Sequence, residues 1–145
     1  MGRDKAIILD FDGTLTDYRA REQYRNVDWD KYIALSHTDV PNPPVVEVIN
    51  KFKYDYDILI VTARAESSRG ETEEWLRSYN IYYDKMYMRD DSIMDIGKDG
   101  VLKANILKDK ILPLYDVLFC IDDRDCCVKE FRDLGLSVFQ CGDGY

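Results

Sequence analysis

Three unbroken apolar runs punctuate the chain: Ala6-Ile7-Ile8-Leu9, Ile58-Leu59-Ile60-Val61 and Val117-Leu118-Phe119-Cys120-Ile121. A strand with one face in water alternates polar and apolar residues, whereas a strand covered on both faces does not. Such runs therefore predict strands inside a parallel sheet. Residues 85–88 and 137–140 are weaker strand candidates. Between the runs the apolar spacing changes to three and four. Pro43-Pro44 leads into Val45, Val46, Val48, Ile49 and Phe52, a helix that opens at proline. Residues 71–79 place Trp75, Leu76 and Tyr79 on one side of a second helix. Residues 100–112 carry Val101, Ile106 and Leu107 and stop at Pro113, and residues 126–134 end at Gly135, a suitable C-terminal cap. Strands alternating with helices predict an α/β domain with a mainly parallel central sheet flanked by helices. Residues 16–42 break this rhythm: they are polar and aromatic, with one short helix expected near 28–36.

At 145 residues, one domain is expected over the whole chain, with 16–42 as an insert. No apolar run approaches the length of a membrane span, and the N-terminus enters the first strand without a signal-peptide pattern, so a soluble, cytoplasmic protein is expected. The net charge of −8 argues against nucleic-acid binding through a broad basic surface, yet leaves room for an enzyme that grips a strand end with a few arginines. Cys120, Cys126, Cys127 and Cys141 have neither zinc-finger nor Cys-x-x-Cys spacing and read as reduced, partly buried thiols. His37, the only histidine, reads as a surface or helix-end residue. Asp90, Asp91 and Asp95 read as a solvated acidic loop.

Charge becomes informative where the apolar runs stop. The first strand runs into Asp10-Phe11-Asp12-Gly13-Thr14, the second into Thr62-Ala63-Arg64, and the Val117 run into Asp122-Asp123-Arg124. In a parallel sheet the C-terminal strand ends share one edge, where ligands bind. Asp10, Asp12, Thr62, Asp122 and Asp123 should therefore converge. Carboxylates gathered in this way repel unless a proton or a cation intervenes, and an all-oxygen, carboxylate-rich set suits Mg²⁺.

Asp10-Phe11-Asp12-Gly13-Thr14, Thr62, Lys103 and Asp122-Asp123 resemble, in order and spacing, the four signature motifs of the haloacid dehalogenase (HAD) superfamily of phosphatases. The resemblance implies a Rossmann-like HAD fold, a minimal cap over 16–42, and hydrolysis of phosphate monoesters through an aspartyl-phosphate. Asp10 would be the nucleophile. Asp12 would be the general acid and base, starting protonated. Gly13 would permit the turn that brings amides to the phosphoryl oxygens. Thr62 would bond a phosphoryl oxygen, and Lys103 would neutralise charge, with Lys98 and Lys108 as rivals for that position. Magnesium would take Asp10, the Asp12 carbonyl and Asp123, with Asp122 reaching it through water.

About 30 residues separate Thr14 from Pro43 and about 10 separate Met88 from Lys98, short inserts that leave the site open. An open site suits phosphates carried on macromolecules. Asp10 through Leu15, Arg21, Thr38-Asp39-Val40-Pro41-Asn42-Pro43, Arg64-Ala65-Glu66-Ser67, Asp99 and Ile121-Asp122-Asp123-Arg124 resemble more closely the phosphatase domain of phage-type polynucleotide kinase/phosphatases. That resemblance implies removal of 3′-phosphates from RNA or DNA ends, coupling to a kinase or ligase, and a phage-type source. It further implies that Arg21 and Arg64 contact the substrate phosphate and that Asp99 orients Lys103 or the site water. Arg19 and Arg25 compete with Arg21 for its role, and Tyr18, Tyr24 and Tyr32 fall near the site, where they are expected to pack the minimal cap, with stacking on bases as the alternative. No Gly-x-x-x-x-Gly-Lys-[Ser/Thr] loop occurs, so no kinase activity is expected of this chain. A small-molecule phosphatase such as a nucleotidase, and a non-enzymatic phosphate-binding domain, remain as alternatives.

Overall fold

The computed structural model describes residues 2–93 and 98–145, so Asp95 of the acidic loop lies outside the described residues. In chain order the strands are β1 (Asp4–Leu9), β2 (Thr16–Asp17), β3 (Val40–Pro41), β4 (Asp57–Ala65), β5 (Lys85–Arg89), β6 (Tyr115–Asp122) and β7 (Val138–Gln140). The helices of that series are α1 (Trp29–Ala34), α2 (Pro43–Phe52), α3 (Arg69–Ser78), α4 (Asp99–Ile106) and α5 (Asp125–Asp133). Five strands form one parallel sheet in the order β5-β4-β1-β6-β7, while β2 and β3 pair antiparallel as a separate two-stranded ribbon.

The three apolar runs are the three central strands; β1 and β4 are covered on both faces, whereas the run in β6 departs from that expectation and is buried only toward its end, with Leu118 44% exposed and Val117 and Phe119 half-buried. Ile7 and Leu9 of β1 join Ile58 and Ile60 of β4 in one core, closed by Val45 and Ile49 of α2 and Trp75 and Leu76 of α3. The alternate residues, Ala6 and Ile8 with Leu59 and Val61, join a second core closed by Ile106 of α4 and Val128 and Phe131 of α5. The result is three layers, with α2 and α3 on one side and α4 and α5 on the other.

The expected helices form, with their ends adjusted. The second begins at Arg69 rather than 71, on a short 3₁₀ turn over Glu66–Ser68. The third loosens into a wider turn over Leu107–Ile111, where the Leu112 amide bonds back to the Leu107 carbonyl at 2.8 Å. Gly135, at φ +86°, ends the last helix as expected: its amide bonds to the Arg132 carbonyl and that of Leu136 to Phe131. In the insert, the Asp28 side chain caps α1 by accepting from the Lys31 amide at 3.1 Å.

This strand order puts the topological switch at β1. After β1 the chain winds to β4 and β5 on one side, then crosses to β6 and β7 on the other. A crevice opens at the carboxyl end of the strand between the two halves, and the residue there is Asp10. No helix among the described residues is long and apolar enough to cross a membrane.

Candidate active site

Asp10 leaves β1 in an extended conformation, its amide bonded to the Ile121 carbonyl of the neighbouring β6 at 3.0 Å. The chain then turns through Asp12 and Gly13. Gly13 sits at φ +81°, and a Cβ there would lie 2.1 Å from Asp123 Oδ2 and 2.3 Å from the Tyr18 ring. Only glycine serves, for its backbone and also because the Asp123 carboxylate packs directly against it. Thr14 Oγ1 donates to Asp10 Oδ2 at 3.2 Å, and Phe11 anchors the loop edge-on against Trp75 at 5.1 Å.

The β6 end brings Asp122 and Asp123 to this loop. Carboxylate oxygens of Asp10, Asp122 and Asp123 lie within 4.8 Å of one another, and all three residues are buried. Lys103, buried on α4, donates to Asp10 Oδ1 at 2.7 Å and to Asp122 Oδ2 at 2.8 Å. It is the lysine that the fold delivers to the site. Lys98 lines a separate cleft beyond β5, and Lys108 is exposed.

Burial first, and the Asp122 charge second, hold the Asp10 carboxyl well above the usual carboxylate range, against the opposing pull of Lys103. Burial pushes the Asp123 carboxyl up to about 6, with Asp122 adding to it. Burial alone would lower the Lys103 ammonium, but Asp10 and Asp122 outweigh that and raise it. Both Asp123 oxygens are buried without a hydrogen-bond donor. Buried carboxylates need a partner. With all three carboxylates ionised against one ammonium, two negative charges would remain, which a divalent cation bound through hard oxygen ligands would match.

Asp12 sits differently. Arg64, leaving the end of β4, forks onto it with Nε to Oδ2 at 2.8 Å and Nη2 to Oδ1 at 2.7 Å. Both oxygens accept, which is the arrangement of a carboxylate and not of the protonated acid expected for the start of catalysis. The guanidinium lies over the Phe11 ring at 4.6 Å, and Nη1 reaches the Thr72 hydroxyl at 3.2 Å. Thr62 is buried at the base of the crevice, its hydroxyl accepting from the Arg64 amide at 3.1 Å.

Two further residues expected at the site, Arg21 and Asp99, line the cleft and are paired within the protein. Arg21, expected to contact substrate, is 4% exposed: Nε and Nη2 take both oxygens of buried Asp39 at 2.8 Å, and Nη1 donates to the Tyr32 carbonyl at 3.0 Å. Its nearest approach to the catalytic loop is 3.8 Å from Asp12 Oδ1. Asp99, expected to orient Lys103 or the site water, pairs with Arg124 at the cleft. The rivals of Arg21 are also engaged: Arg19 binds Asp17 in the open, and Arg25 lies over the rings of Tyr18, Tyr32 and Tyr145.

Sequence reasoning quoted Asp39 and Arg124 within motifs without assigning them work. Thr14 was likewise quoted without a role, and Trp29 was passed over; Trp29 and Tyr145 line the cleft with Asp10 and Arg124. His37 is exposed, as expected, at the cleft rim. The four cysteines are free thiols, and burial raises Cys120 to about 12 and Cys141 to about 11.

A Rossmann-like sheet carrying an Asp-x-Asp loop at its switch point, with a lysine and two further aspartates gathered behind it, defines a phosphatase of the haloacid dehalogenase class. At the level of fold, the chain superposes at a TM-score of 0.57 on a HAD-family enzyme of Bacteroides thetaiotaomicron solved with magnesium and inorganic phosphate, at 14% identity over 98% of this chain and 96% of that one. Within the class, residues 4–145 match the family model of the polynucleotide kinase PNKP phosphatase domain, and the chain belongs to that family. It is 32% identical, at a TM-score of 0.81, to a chain of the Pnkp1/Rnl/Hen1 complex, covering 100% of this chain and 47% of that one. It is 29% identical over 147 residues to a protein of Autographa californica nuclear polyhedrosis virus named as a bifunctional polynucleotide kinase/RNA ligase, covering 96% of this chain. The chain thus spans 20% of the viral relative and under half of the solved one.

Proposed function

We propose that this phosphatase removes 3′-phosphates from polynucleotide ends, through an aspartyl-phosphate on Asp10 and with Mg²⁺ as cofactor. The observation that carries the chemistry is the Asp10–Lys103–Asp122–Asp123 cluster with its two donorless Asp123 oxygens. Family membership supports nucleic-acid ends as substrate. Segment 16–42 acts as a minimal cap, and the roughly 620 Å³ cleft it borders stays open enough for a strand end.

In the first half-reaction an Asp10 oxygen attacks phosphorus, the P–O ester bond breaks, and the leaving 3′-oxygen takes a proton from Asp12. In the second, Asp12 takes a proton from water as that water attacks the same phosphorus, and the acyl-phosphate bond breaks to release Asp10 and inorganic phosphate. Lys103 offsets negative charge gathering on Asp10, and the Thr62 hydroxyl has a proton to donate to a phosphoryl oxygen. The Arg64 fork must leave Asp12 for this cycle to run. An arriving phosphomonoester, with two charges and three oxygens, competes for the guanidinium, and the released Asp12 carboxylate takes up a proton from solvent, which it then gives to the leaving oxygen. Arg21 keeps the cap in place: removing one partner of a buried pair such as Arg21–Asp39 costs about 3–5 kcal/mol. Asp10, Asp123 and the Asp12 carbonyl would hold the magnesium, with Asp122 behind them, and the ion would supply charge neutralisation for the transferring phosphoryl group.

Phosphate release from matched oligonucleotides bearing a 3′- or 5′-phosphate, beside a 3′-mononucleotide, tests the substrate. A strong preference for the 3′-phosphorylated oligonucleotide is expected, with loss of turnover in EDTA. Equal turnover of the mononucleotide would move the protein to the small-molecule class. The relatives named for ligase and kinase activities support a role beside such enzymes in end repair.

The carboxyl shifts predict how cation binding depends on pH. A carboxyl raised in the folded protein binds more protons than the unfolded chain, so the metal-free fold loses stability as pH climbs from about 4 toward the folded value of about 6. A cation takes the protons' place. The melting-temperature gain from Mg²⁺ over EDTA should therefore grow between pH 5 and pH 7 and level off above. A gain constant across that window would contradict a cation among these carboxylates.

A further inference from the structure

Trp29 opens α1 and is 59% exposed, with Ile33 one turn on at 49% and Val27 just before at 84%. An indole left this open is unusual, and its place is more telling than its exposure. Trp29 and Ile33 line the same cleft as Asp10, Asp12, Thr62 and Lys103.

The ring is also held from behind. It stacks on Tyr32 at 5.2 Å and 27°, and Tyr32 is buried. The Arg21 guanidinium lies 4.3 Å from the Tyr32 ring while gripping Asp39, and Arg25 donates to the Tyr32 hydroxyl at 3.3 Å. A side chain fixed this way loses little freedom when a ligand covers it. Two of the tyrosines near the site pack within the cap: Tyr32 is the support under the indole, and Tyr18 packs with Tyr145 around Arg25.

We propose that Trp29, backed by Tyr32 and edged by Ile33, is a stacking platform for a nucleobase next to the terminal phosphate held at Asp10. The inference rests on the polynucleotide reading above and adds what that reading lacks, a structural reason why a strand end is preferred over a small phosphate ester. Stacking tolerates any base, because every base offers a π-face. It also suits a protein of net charge −8, which cannot rely on long-range attraction to hold a polyanion.

The test compares 3′-phosphorylated oligonucleotides that carry bases throughout with matched ones abasic over their last two residues, in the sugar series the wild-type enzyme turns over faster. The wild-type protein should prefer the base-bearing end by about 5- to 100-fold in kcat/KM, expressed mainly in KM. Trp29→Ala should treat the two ends alike, and Trp29→Phe should restore most of the preference. In Asp10→Asn protein, the base-bearing end should quench Trp29 fluorescence, a signal absent from the Asp10→Asn, Trp29→Phe double variant. A wild-type enzyme indifferent to the bases, or a Trp29→Ala variant that keeps the wild-type ratio, overturns the platform. Failure of the underlying reading looks different: the wild-type enzyme then shows no preference for a 3′- over a 5′-phosphate.

Discussion

Asp10→Asn should lower phosphate release by at least about four orders of magnitude while leaving the melting temperature of the metal-free protein unchanged or higher. The loss in rate follows from removing the attacking atom, since groups acting as the nucleophile of a covalent mechanism typically carry up to about 10⁶ in turnover. The stability forecast follows from crowding. Asp10 shares its site with Asp122 and Asp123, and burial and the Asp122 charge already work against its ionisation. An asparagine oxygen still accepts from Lys103 at the Asp10 position while one negative charge is gone. Thermal unfolding in EDTA and a phosphate-release assay in Mg²⁺ give the two readouts. Ordinary turnover by a folded Asp10→Asn protein would remove Asp10 from the nucleophile's place.

Lys103→Met should have the opposite signature. It deletes the ammonium that bridges Asp10 and Asp122 and strands both carboxylates beside Asp123 in a buried site. Breaking a buried pair from one side costs about 3–5 kcal/mol, here a fall of roughly 10 °C in melting temperature. The deficit should shrink as pH is lowered, because the stranded carboxyls are then protonated, and should shrink again when Mg²⁺ is added. Turnover should fall by about a hundred- to a thousandfold, in line with the loss of a charge-stabilising donor. A Lys103→Met protein as stable as wild type in EDTA at pH 7 would mean that the cluster is not the charge assembly described.

The contrast between these variants shows what was legible in the sequence. Ile7 and Ile58 sit in runs whose lack of alternation is itself the signature of a covered strand, a reading that fails at Leu118, which stays exposed, and Asp10, Thr62 and Asp122 stand where the apolar runs stop. Strand ends in a parallel sheet have one destination, so convergence of the site could be read without coordinates. Pairings reached by long side chains could not be read in this way. Nothing local in Arg21 announces that at the cleft it will grip Asp39, or that Asp99 will pair with Arg124. The β2–β3 ribbon, two residues to a strand, is too short to show any period. Trp29 was missed for a related reason: exposure belongs to the folded surface, and an apolar residue in a short helix is ordinarily read as core.

The Arg64 fork on Asp12 also bears on which phosphates the enzyme ignores. A polynucleotide is lined with phosphodiesters, each singly charged, and only its end carries a dianion. Under the proposed mechanism, a guanidinium already satisfied by a carboxylate gains little by exchanging it for one more monoanion, so the interior of the strand can slide past an acid that stays locked. Only a terminus brings enough charge to open the lock, and the latch between two side chains then works as a sensor for where the strand stops.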